Sequence, residues 1–94
     1  MIRGFRDQDT ERFAEGKRVA KWEPFRLQAE KRLRILDAAI SLSDLAALNS
    51  NRLEALKGDR KGQYSIRINQ QWRICFEWPK DEPGPLNVEI VDYH

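Results

Sequence analysis

The chain contains few of the residues on which cross-linked or metal-dependent small domains rely. Among its 94 residues there are one cysteine, Cys75, and one histidine, His94. One cysteine cannot form an internal disulfide, and no Cys/His spacing typical of a metal site is present. Gly-rich phosphate loops and Ser/His/Asp orders are also missing. We therefore expect no disulfide framework, metal or other cofactor, and no catalytic role for Cys75.

Long apolar runs are missing as well. No stretch approaches the ~20 apolar residues that a membrane helix needs, and mixed charge follows Met1 too soon for a secretory leader. We expect no membrane association and a reducing cytoplasm as the compartment. The length predicts a single domain over residues 1–94.

The first half of the chain predicts helices. Asp7 is a candidate N-cap for a helix that reaches Glu15 and stops at Gly16. Pro24 suits the first position of a second helix, and Ser43 is the candidate cap of a short third one. The apolar stripe of the second helix recurs at three and four residues. Its members are Phe25, Ala29, Leu33, Leu36 and Ile40.

The second half alternates with period two, which predicts strands. Asn69 opens the tight connection of an antiparallel hairpin, and residues 86–90 form the last strand. Residues 2–5 predict a short first strand, and residues 52–56 a possible extra one. The apolar positions of the hairpin are Tyr64, Ile66, Ile68, Trp72, Ile74, Phe76 and Trp78. This order predicts an α+β domain with two N-terminal helices on one face of a mostly antiparallel, twisted sheet.

Positive charge is concentrated in one segment. The whole chain carries a formal charge of +2, whereas residues 52–73 hold six basic and two acidic side chains, a net +4. A local positive field favours a polyanionic partner such as RNA. A solvated basic surface fits the same composition, and composition alone does not decide between them.

Strand parity places two arginines on the side of the sheet away from the core. If Ile66 and Ile74 face the helices, Arg67 and Arg73 project together from the opposite, solvent-facing side. Arginine can hold a phosphate through two parallel hydrogen bonds, and Lys57 lies nearby, just before a glycine-rich turn. Ordinary sheets also expose polar faces, which is the alternative. The remaining candidates for RNA contacts are Arg52, Arg60 and Lys61.

The carboxyl-terminal residues supply the proton chemistry. His94 is the side chain whose unperturbed pKa lies nearest neutrality, which suits a general acid or base, although terminal histidines are often idle. Asp92 and Tyr93 precede it directly after a strand, and Tyr93 either stacks on a base or packs at the strand end. Glu54 fits a proton acceptor or a salt-bridge partner of Lys57. Cations and one imidazole suffice to cut RNA without a metal.

These residues resemble the HigB-type toxins, or plasmid maintenance system killer proteins, of the RelE/ParE superfamily. The similarity covers essentially the whole chain and is carried by MIRGF, LKGDRKGQYSIRINQQWRICFEW and VEIVDYH. It implies a RelE-like microbial RNase fold and a type II toxin that cleaves mRNA in the ribosomal A site. It also implies a small HigA-like helix-turn-helix antitoxin as partner, through which alone operator DNA would be contacted.

The resemblance also implies roles for individual residues. Lys57 and Arg73 would face the scissile phosphate, and the closing DYH sequence of residues 92–94 would complete the catalytic site. Many relatives carry a histidine where this chain has Glu54. That departure leaves one imidazole, so either Glu54 acts as the general base or the enzyme is slower.

Two rival functions remain open at this stage. The ParE branch of the superfamily shares the fold but inhibits gyrase and has no nuclease activity. A corepressor that only binds an antitoxin is the second rival. The terminal Tyr93-His94 pair and the cation cluster favour the nuclease.

Overall fold

Residues 1–92 are described here in a computed structural model. Three α-helices come first: α1 (Gln8–Ala14), α2 (Arg26–Ala38) and α3 (Leu42–Ala47). Four strands follow: β1 (Glu54–Ala55), β2 (Gln63–Arg67), β3 (Trp72–Glu77) and β4 (Leu86–Asp92). Short 3₁₀ helices occupy Ala20–Phe25, Asn49–Asn51 and Gly58–Arg60. The predicted α+β class is confirmed.

Helix α1 begins and ends as its sequence predicts. The Asp7 carboxylate accepts a hydrogen bond from the Thr10 backbone N–H at 3.2 Å and one from the Thr10 hydroxyl at 2.6 Å. This satisfies a backbone N–H of the first turn, which has no partner inside the helix. Gly16 follows the helix with φ +91°, a left-handed conformation that glycine adopts without a steric penalty. Phe13 carries the buried face of this helix.

The second helix differs from its prediction at both ends. Pro24 lies inside the 3₁₀ helix Ala20–Phe25, and α2 begins two residues later at Arg26. Burial of Trp22 and Phe25 holds the preceding turn in place, and the backbone of Phe25 departs from helical geometry. The stripe is buried at Ala29, Leu33 and Leu36, but Ile40 lies beyond the helix end and is 81% exposed.

Helix α3 is capped by Ser41, and the prediction of Ser43 was wrong. The Ser41 hydroxyl accepts a hydrogen bond from the Asp44 backbone N–H at 3.3 Å. The Asp44 carboxylate in turn accepts one from the Ile40 N–H at 3.0 Å. This reciprocal arrangement sets the start of the helix two residues earlier than expected. Leu45 alone of the α3 residues is fully buried.

The sheet has the order β1-β2-β3-β4, and every neighbouring pair is antiparallel. Ile66 pairs with Ile74, which confirms the hairpin, and β1 confirms the extra strand in shorter form. The predicted first strand is reduced to one parallel bridge between Phe5 and Val88. Backbone hydrogen bonds around that bridge link the amino-terminal segment to β4. They are Arg3 N–H to Pro85 O, Val88 N–H to Gly4 O and Arg6 N–H to Val88 O.

The core lies between the helices and one face of the sheet. Leu33 and Leu36 of α2 belong to the same buried cluster as Ile66, Ile74 and Val88 of the sheet. Aromatic rings fill its margins: Phe13 lies edge-on to Trp22, and Phe25 stacks on Trp72. The odd-numbered residues of β2 and β3 therefore point to the second face.

Candidate active site

The second face of the sheet carries the predicted arginine pair. Arg67 and Arg73 are direct cross-strand partners, and the next row toward the other end of the hairpin is Ser65, Cys75 and Glu89. Because Ile66 and Ile74 are fully buried in the core, their neighbours project to the opposite side. The parity argument of the sequence is confirmed.

The middle of this face is closed to solvent, which corrects the expectation of an open polar surface. Ser65 and Cys75 are completely buried. Arginines from outside β2 and β3 bind the acids of this face: Arg60 pairs with Glu89 at 2.7 Å, and Arg6 with Glu77 at 3.0 Å. Long arginine stems can shield such a row while their charged ends remain near water.

Cys75 is an inert member of this face. Burial raises the pKa of its thiol from 9.0 to about 11, and the charge of Glu89 adds to the effect, although Arg60, Arg73 and Arg6 oppose it. The thiol is therefore protonated near neutral pH and is a poor nucleophile. The expectation that Cys75 takes no part in catalysis stays a prediction.

Arg73 is held much more firmly than its sequence suggests. Its side chain is only 12% exposed. The Nε–H donates to the Ser65 hydroxyl at 2.6 Å, and Nη2 donates to the Arg52 carbonyl at 2.6 Å. Glu54 Oε1 lies 3.3 Å from the same Nη2. The Arg73 guanidinium is thus held at both Nε and Nη2.

The Arg52 carbonyl reaches Arg73 because the chain makes a left-handed turn at that residue. Arg52 has φ 49° and ψ 49°, an uncommon conformation for a residue with a β-carbon. The following strand pairs Glu54 with Ser65, which brings the carboxylate to the edge of the site. Glu54 is 59% exposed and its ion pair is with Arg73. The proposed salt bridge to Lys57 is not the contact that forms.

The basic turn between β1 and β2 begins at Lys57, which is exposed. Within residues 1–92, no ion pair involves Lys57, Lys61 or Arg52, although Arg60 is bound to Glu89. By contrast, all four cations of residues 17–26 are neutralised by nearby carboxylates. Uncompensated positive charge is therefore present in the basic turn between β1 and β2.

Arg67 is partly committed to the hairpin turn. Its Nε–H donates to the Asn69 carbonyl at 3.2 Å, and the Asn69 side chain accepts from the backbone N–H groups of Gln71 and Trp72, both at 2.8 Å. These bonds explain the tight connection that the sequence predicts. They also orient Arg67 along the strand end.

Asp92 ends β4 and pairs with Trp72, whose side chain packs against the core, whereas Arg73 lies on the other face of the sheet. Its Oδ2 accepts a hydrogen bond from the Gln71 side chain at 2.8 Å. The predicted catalytic residues Tyr93 and His94 lie outside the described residues. The hairpin turn thus meets the end of β4 immediately before them in sequence.

Two polar residues of this region were not singled out from the sequence. Gln71 contacts Asp92, and Ser65 contacts Arg73. Ser65 was detectable in principle, because pairing Ile66 with Ile74 makes it a diagonal neighbour of Arg73. No sequence signal indicated that the Gln71 side chain would reach another strand.

Residues 1–92 contain no cluster of three or more His, Cys, Asp or Glu side chains that could hold a metal ion. Nor does any helix within them have the length and apolar character to cross a bilayer.

The sequence is similar to a family of known proteins. A family model for the HigB-like toxins, RelE-like toxins of the type II toxin-antitoxin system HigB, matches residues 3–94. The chain is 40% identical over 80 residues to Toxin HigB-1 of Vibrio cholerae serotype O1, a match that covers 83% of this chain and 84% of that protein.

Two further relatives are matched over shorter stretches. Endoribonuclease HigB of Proteus vulgaris is 38% identical over 63 residues, which are 67% of this chain and 65% of that protein. An uncharacterized protein of Haemophilus influenzae is 28% identical over 64 residues, 68% of this chain and 63% of its own length. The family match and these relatives agree with the sequence resemblance, and the chain belongs to the HigB-like toxins, the RelE-like toxins of type II toxin-antitoxin systems.

Proposed function

We propose that this chain is a metal-independent endoribonuclease that cleaves mRNA on the ribosome and thereby stops translation. Family membership and the name of the Proteus relative support the ribonuclease part. The observation that carries the proposal is the anchored guanidinium of Arg73, which lies beside a segment of unpaired cations. Its strand also pairs with β4, which leads into residues 92–94.

Arg73 and Lys57 are the proposed phosphate-binding groups. Within residues 1–92, the contacts of the Arg73 guanidinium go to Nε and Nη2, which leaves the two N–H groups of Nη1 for phosphate oxygens. Lys57 is exposed and adds a second positive charge. Preorganised cations of this kind stabilise the negative charge that develops on a phosphate in the transition state. Arg67, Arg52, Arg60 and Lys61 would guide the RNA backbone.

The proposed reaction is an internal transfer within the RNA. A 2′-OH attacks the adjacent phosphorus while a general base takes its proton. The bond to the 5′-oxygen of the next nucleotide breaks, and a general acid protonates that oxygen. The products are a 2′,3′-cyclic phosphate and a 5′-OH. His94 acts as general acid or base, which contributes about 10²–10⁴-fold. Tyr93 stacks on the substrate, and Asp92 orients the chain end.

Glu54 has two proposed roles: it is either the general base or only the ion-pair partner of Arg73. As a general base it would accept the 2′-OH proton in place of the histidine of many relatives. As a partner of Arg73 it holds the guanidinium at 3.3 Å and repels an incoming phosphate. Because the carboxylate is 59% exposed, the ion pair is weak enough to open when RNA binds.

Glu54 variants separate these roles. If Glu54 is the base, Glu54→Gln should lower single-turnover cleavage by about 10²-fold or more, and Glu54→His should retain or raise activity. If Glu54 only pairs with Arg73, Glu54→Gln should cleave as well as the parent and bind RNA more tightly. The measurement is the cleavage rate on programmed ribosomes across pH. A rate for Glu54→Gln equal to that of the parent would reject the base role.

Dependence on the ribosome follows from the small number of catalytic groups in the chain. One imidazole and a few cations provide little orientation of the reacting 2′-OH and phosphate. A surface that holds the codon in an in-line geometry would supply that orientation, which can account for a large part of a rate enhancement. Cleavage of free mRNA should therefore be much slower than cleavage of the same mRNA on ribosomes.

The deciding experiment maps 5′ ends by primer extension on an mRNA that is presented on ribosomes, with the free mRNA as comparison. Arg73→Ala should abolish cleavage, whereas Arg26→Ala, which removes an arginine paired with Glu30 on α2, should not. Cleavage by Arg73→Ala at the parental rate would reject the site. DNA supercoiling by gyrase in the presence of the toxin tests the ParE-like alternative.

The partner that we propose is a helix-turn-helix antitoxin of the HigA type, which alone would contact operator DNA. Membership in a type II family supports an antitoxin partner. Arg73→Ala should still bind the antitoxin, because the change is confined to the catalytic face. If the parent binds the antitoxin but leaves growth unaffected when it is produced alone, a non-enzymatic role such as corepression gains support.

A further inference from the structure

Ser65 is a buried polar residue whose hydroxyl binds a charged side chain of the site. Among residues 1–92, the fully buried polar side chains are those of Thr10, Asn51 and Ser65. Thr10 accepts a hydrogen bond from the Ile90 backbone N–H, and Asn51 donates one to the Leu45 carbonyl and accepts one from Arg32, so both bind backbone groups. The described contact of the Ser65 hydroxyl is with the Nε–H of Arg73.

The contacts from Ser65 and Arg52 determine the direction of the guanidinium. Nε is held by the Ser65 hydroxyl at 2.6 Å and Nη2 by the Arg52 carbonyl at 2.6 Å, with the Ser65 carbonyl farther away at 3.4 Å. Because a guanidinium is planar and rigid, fixing two of its nitrogens fixes the third. The remaining nitrogen, Nη1, then has one orientation relative to the sheet.

Glu54 does not provide the same constraint. Its carboxylate is 59% exposed and lies 3.3 Å from Nη2, the nitrogen that the Arg52 carbonyl already holds. Exposed ion pairs of this kind contribute little and are screened by salt. By contrast, Ser65 is buried and approaches a different nitrogen, where a charge-assisted hydrogen bond is strong.

We infer that Ser65 is a positioning residue of the active site: its buried hydroxyl fixes the Arg73 guanidinium so that Nη1 meets the scissile phosphate. The inference rests on the function proposed above for Arg73. It assigns no substrate contact to Ser65, which is shielded from solvent. Without the hydroxyl, Nε loses its acceptor and the guanidinium can rotate away from its productive orientation.

The main test compares Ser65→Ala with Cys75→Ala on programmed ribosomes. Cys75 lies directly opposite Ser65 and is equally buried, but its side chain makes no hydrogen bond to Arg73 within residues 1–92. Ser65→Ala should slow single-turnover cleavage by about 10- to 100-fold at saturating ribosome concentration. The concentration for half-saturation should stay near the parental value, and Cys75→Ala should cleave at the parental rate.

A second variant, Ser65→Cys, keeps the test informative if Ser65→Ala does not fold. Ser65→Cys keeps the side chain nearly the same size but replaces a strong oxygen acceptor with a weak sulfur one. It should fold and show an intermediate rate. In an Arg73→Lys background, whose residual cleavage is measured in the same way, Ser65→Ala should cause little further loss. An equal loss in both backgrounds would mean that Ser65 acts independently of Arg73 and would overturn the inference.

The hydrogen bond between Ser65 and Arg73 can also be detected by NMR, without a measurement of cleavage. In a ¹H–¹⁵N spectrum, the Nε–H of Arg73, assigned by its disappearance in Arg73→Lys, should be shifted and protected from solvent exchange. Ser65→Ala should remove both properties, and Cys75→Ala should preserve them. An unchanged signal in Ser65→Ala would contradict the inference.

The outcomes separate this inference from the function on which it rests. If Arg73→Ala cleaves like the parent, the proposed active site is wrong and the inference is overturned with it. If Arg73→Ala is inactive but Ser65→Ala cleaves like the parent, the proposed function stands and only the role of Ser65 is rejected. Slow cleavage by both Ser65→Ala and Arg73→Ala, with normal cleavage by Cys75→Ala, supports both.

Discussion

At the scale of single residues, Arg73 has a structural role as well as its proposed catalytic one. The sequence predicted a side chain that projects from the solvent-facing side of the sheet, but only 12% of it is exposed. Its removal leaves the Ser65 hydroxyl and the Arg52 carbonyl without their donor. Buried acceptors that lose a partner are costly because water cannot replace it fully.

Arg73→Ala should therefore lower the free energy of unfolding by about 1–3 kcal/mol in addition to abolishing cleavage. Urea unfolding measures the loss, with Arg26→Ala as the matched surface change, which we expect to have an effect below about 1 kcal/mol. Equal stability of Arg73→Ala and the parent would show that the recorded contacts contribute little. Cleavage by Arg73→Ala should accordingly be measured at a temperature where both variants are folded.

Cys75 should make the protein less stable in alkali. The pKa of its thiol is raised from 9.0 to about 11 by burial, so the unfolded chain ionises at a lower pH than the folded one. The free energy of unfolding should be unaffected by this group below pH 9 and fall as the pH rises toward about 11. Cys75→Ala should lose less stability over that range in urea unfolding. Parallel pH profiles would contradict the prediction.

The site residues divide into those that a sequence can indicate and those that it cannot. Strand parity correctly placed Arg67 and Arg73 on one face because alternation along a strand is local geometry. Parity could not show that Arg6 and Arg60 would cover the middle of that face, since they come from distant parts of the chain. The roles of Lys57 and Asp92 stay predictions.

At the scale of secondary structure elements, capping and periodicity predicted most of the boundaries. Asp7 and Gly16 delimit α1 because a cap and a left-handed glycine act within one helical turn. The prediction that Pro24 begins the second helix was wrong, because the burial of Trp22 and Phe25 favours a 3₁₀ helix that contains the proline. Such tertiary preferences are not visible in local patterns.

Helix α3 offers a direct test of the corrected cap. Ser41→Ala should destabilise the protein by about 1 kcal/mol because it removes the acceptor for the Asp44 N–H. Ser43→Ala, the same substitution inside the helix, should be neutral or slightly stabilising because alanine has the higher helix propensity. Thermal unfolding of the two variants distinguishes the caps, and the reverse order would mean that Ser43 begins the helix.

At the scale of the whole molecule, charge is compensated unevenly. The cations of residues 17–26 are each bound to a carboxylate, whereas Lys57 and Lys61 have no ion pair within the described residues. Uncompensated cations of this kind speed the encounter with a polyanion and make binding sensitive to salt.

Lys57→Ala should weaken RNA and ribosome binding and reduce the slope of log affinity against log salt concentration by about 1. Lys21→Ala, a change of equal charge at a cation paired with Asp9 at 3.0 Å, should leave that slope nearly unchanged. Filter binding over a series of salt concentrations gives both slopes. Equal slopes for the two variants would show that the basic turn does not meet the RNA backbone.

The link between the amino-terminal segment and β4 has a consequence for biosynthesis. Gly4 and Arg6 exchange backbone hydrogen bonds with Val88, so this segment is completed by a strand that is synthesised much later. Because a chain is synthesised at about 5–20 residues per second, several seconds pass between the synthesis of the amino-terminal segment and that of β4. The nascent chain therefore cannot assemble its native sheet early. We therefore expect an interval during synthesis in which this toxin is inactive while it is still attached to the ribosome that makes it.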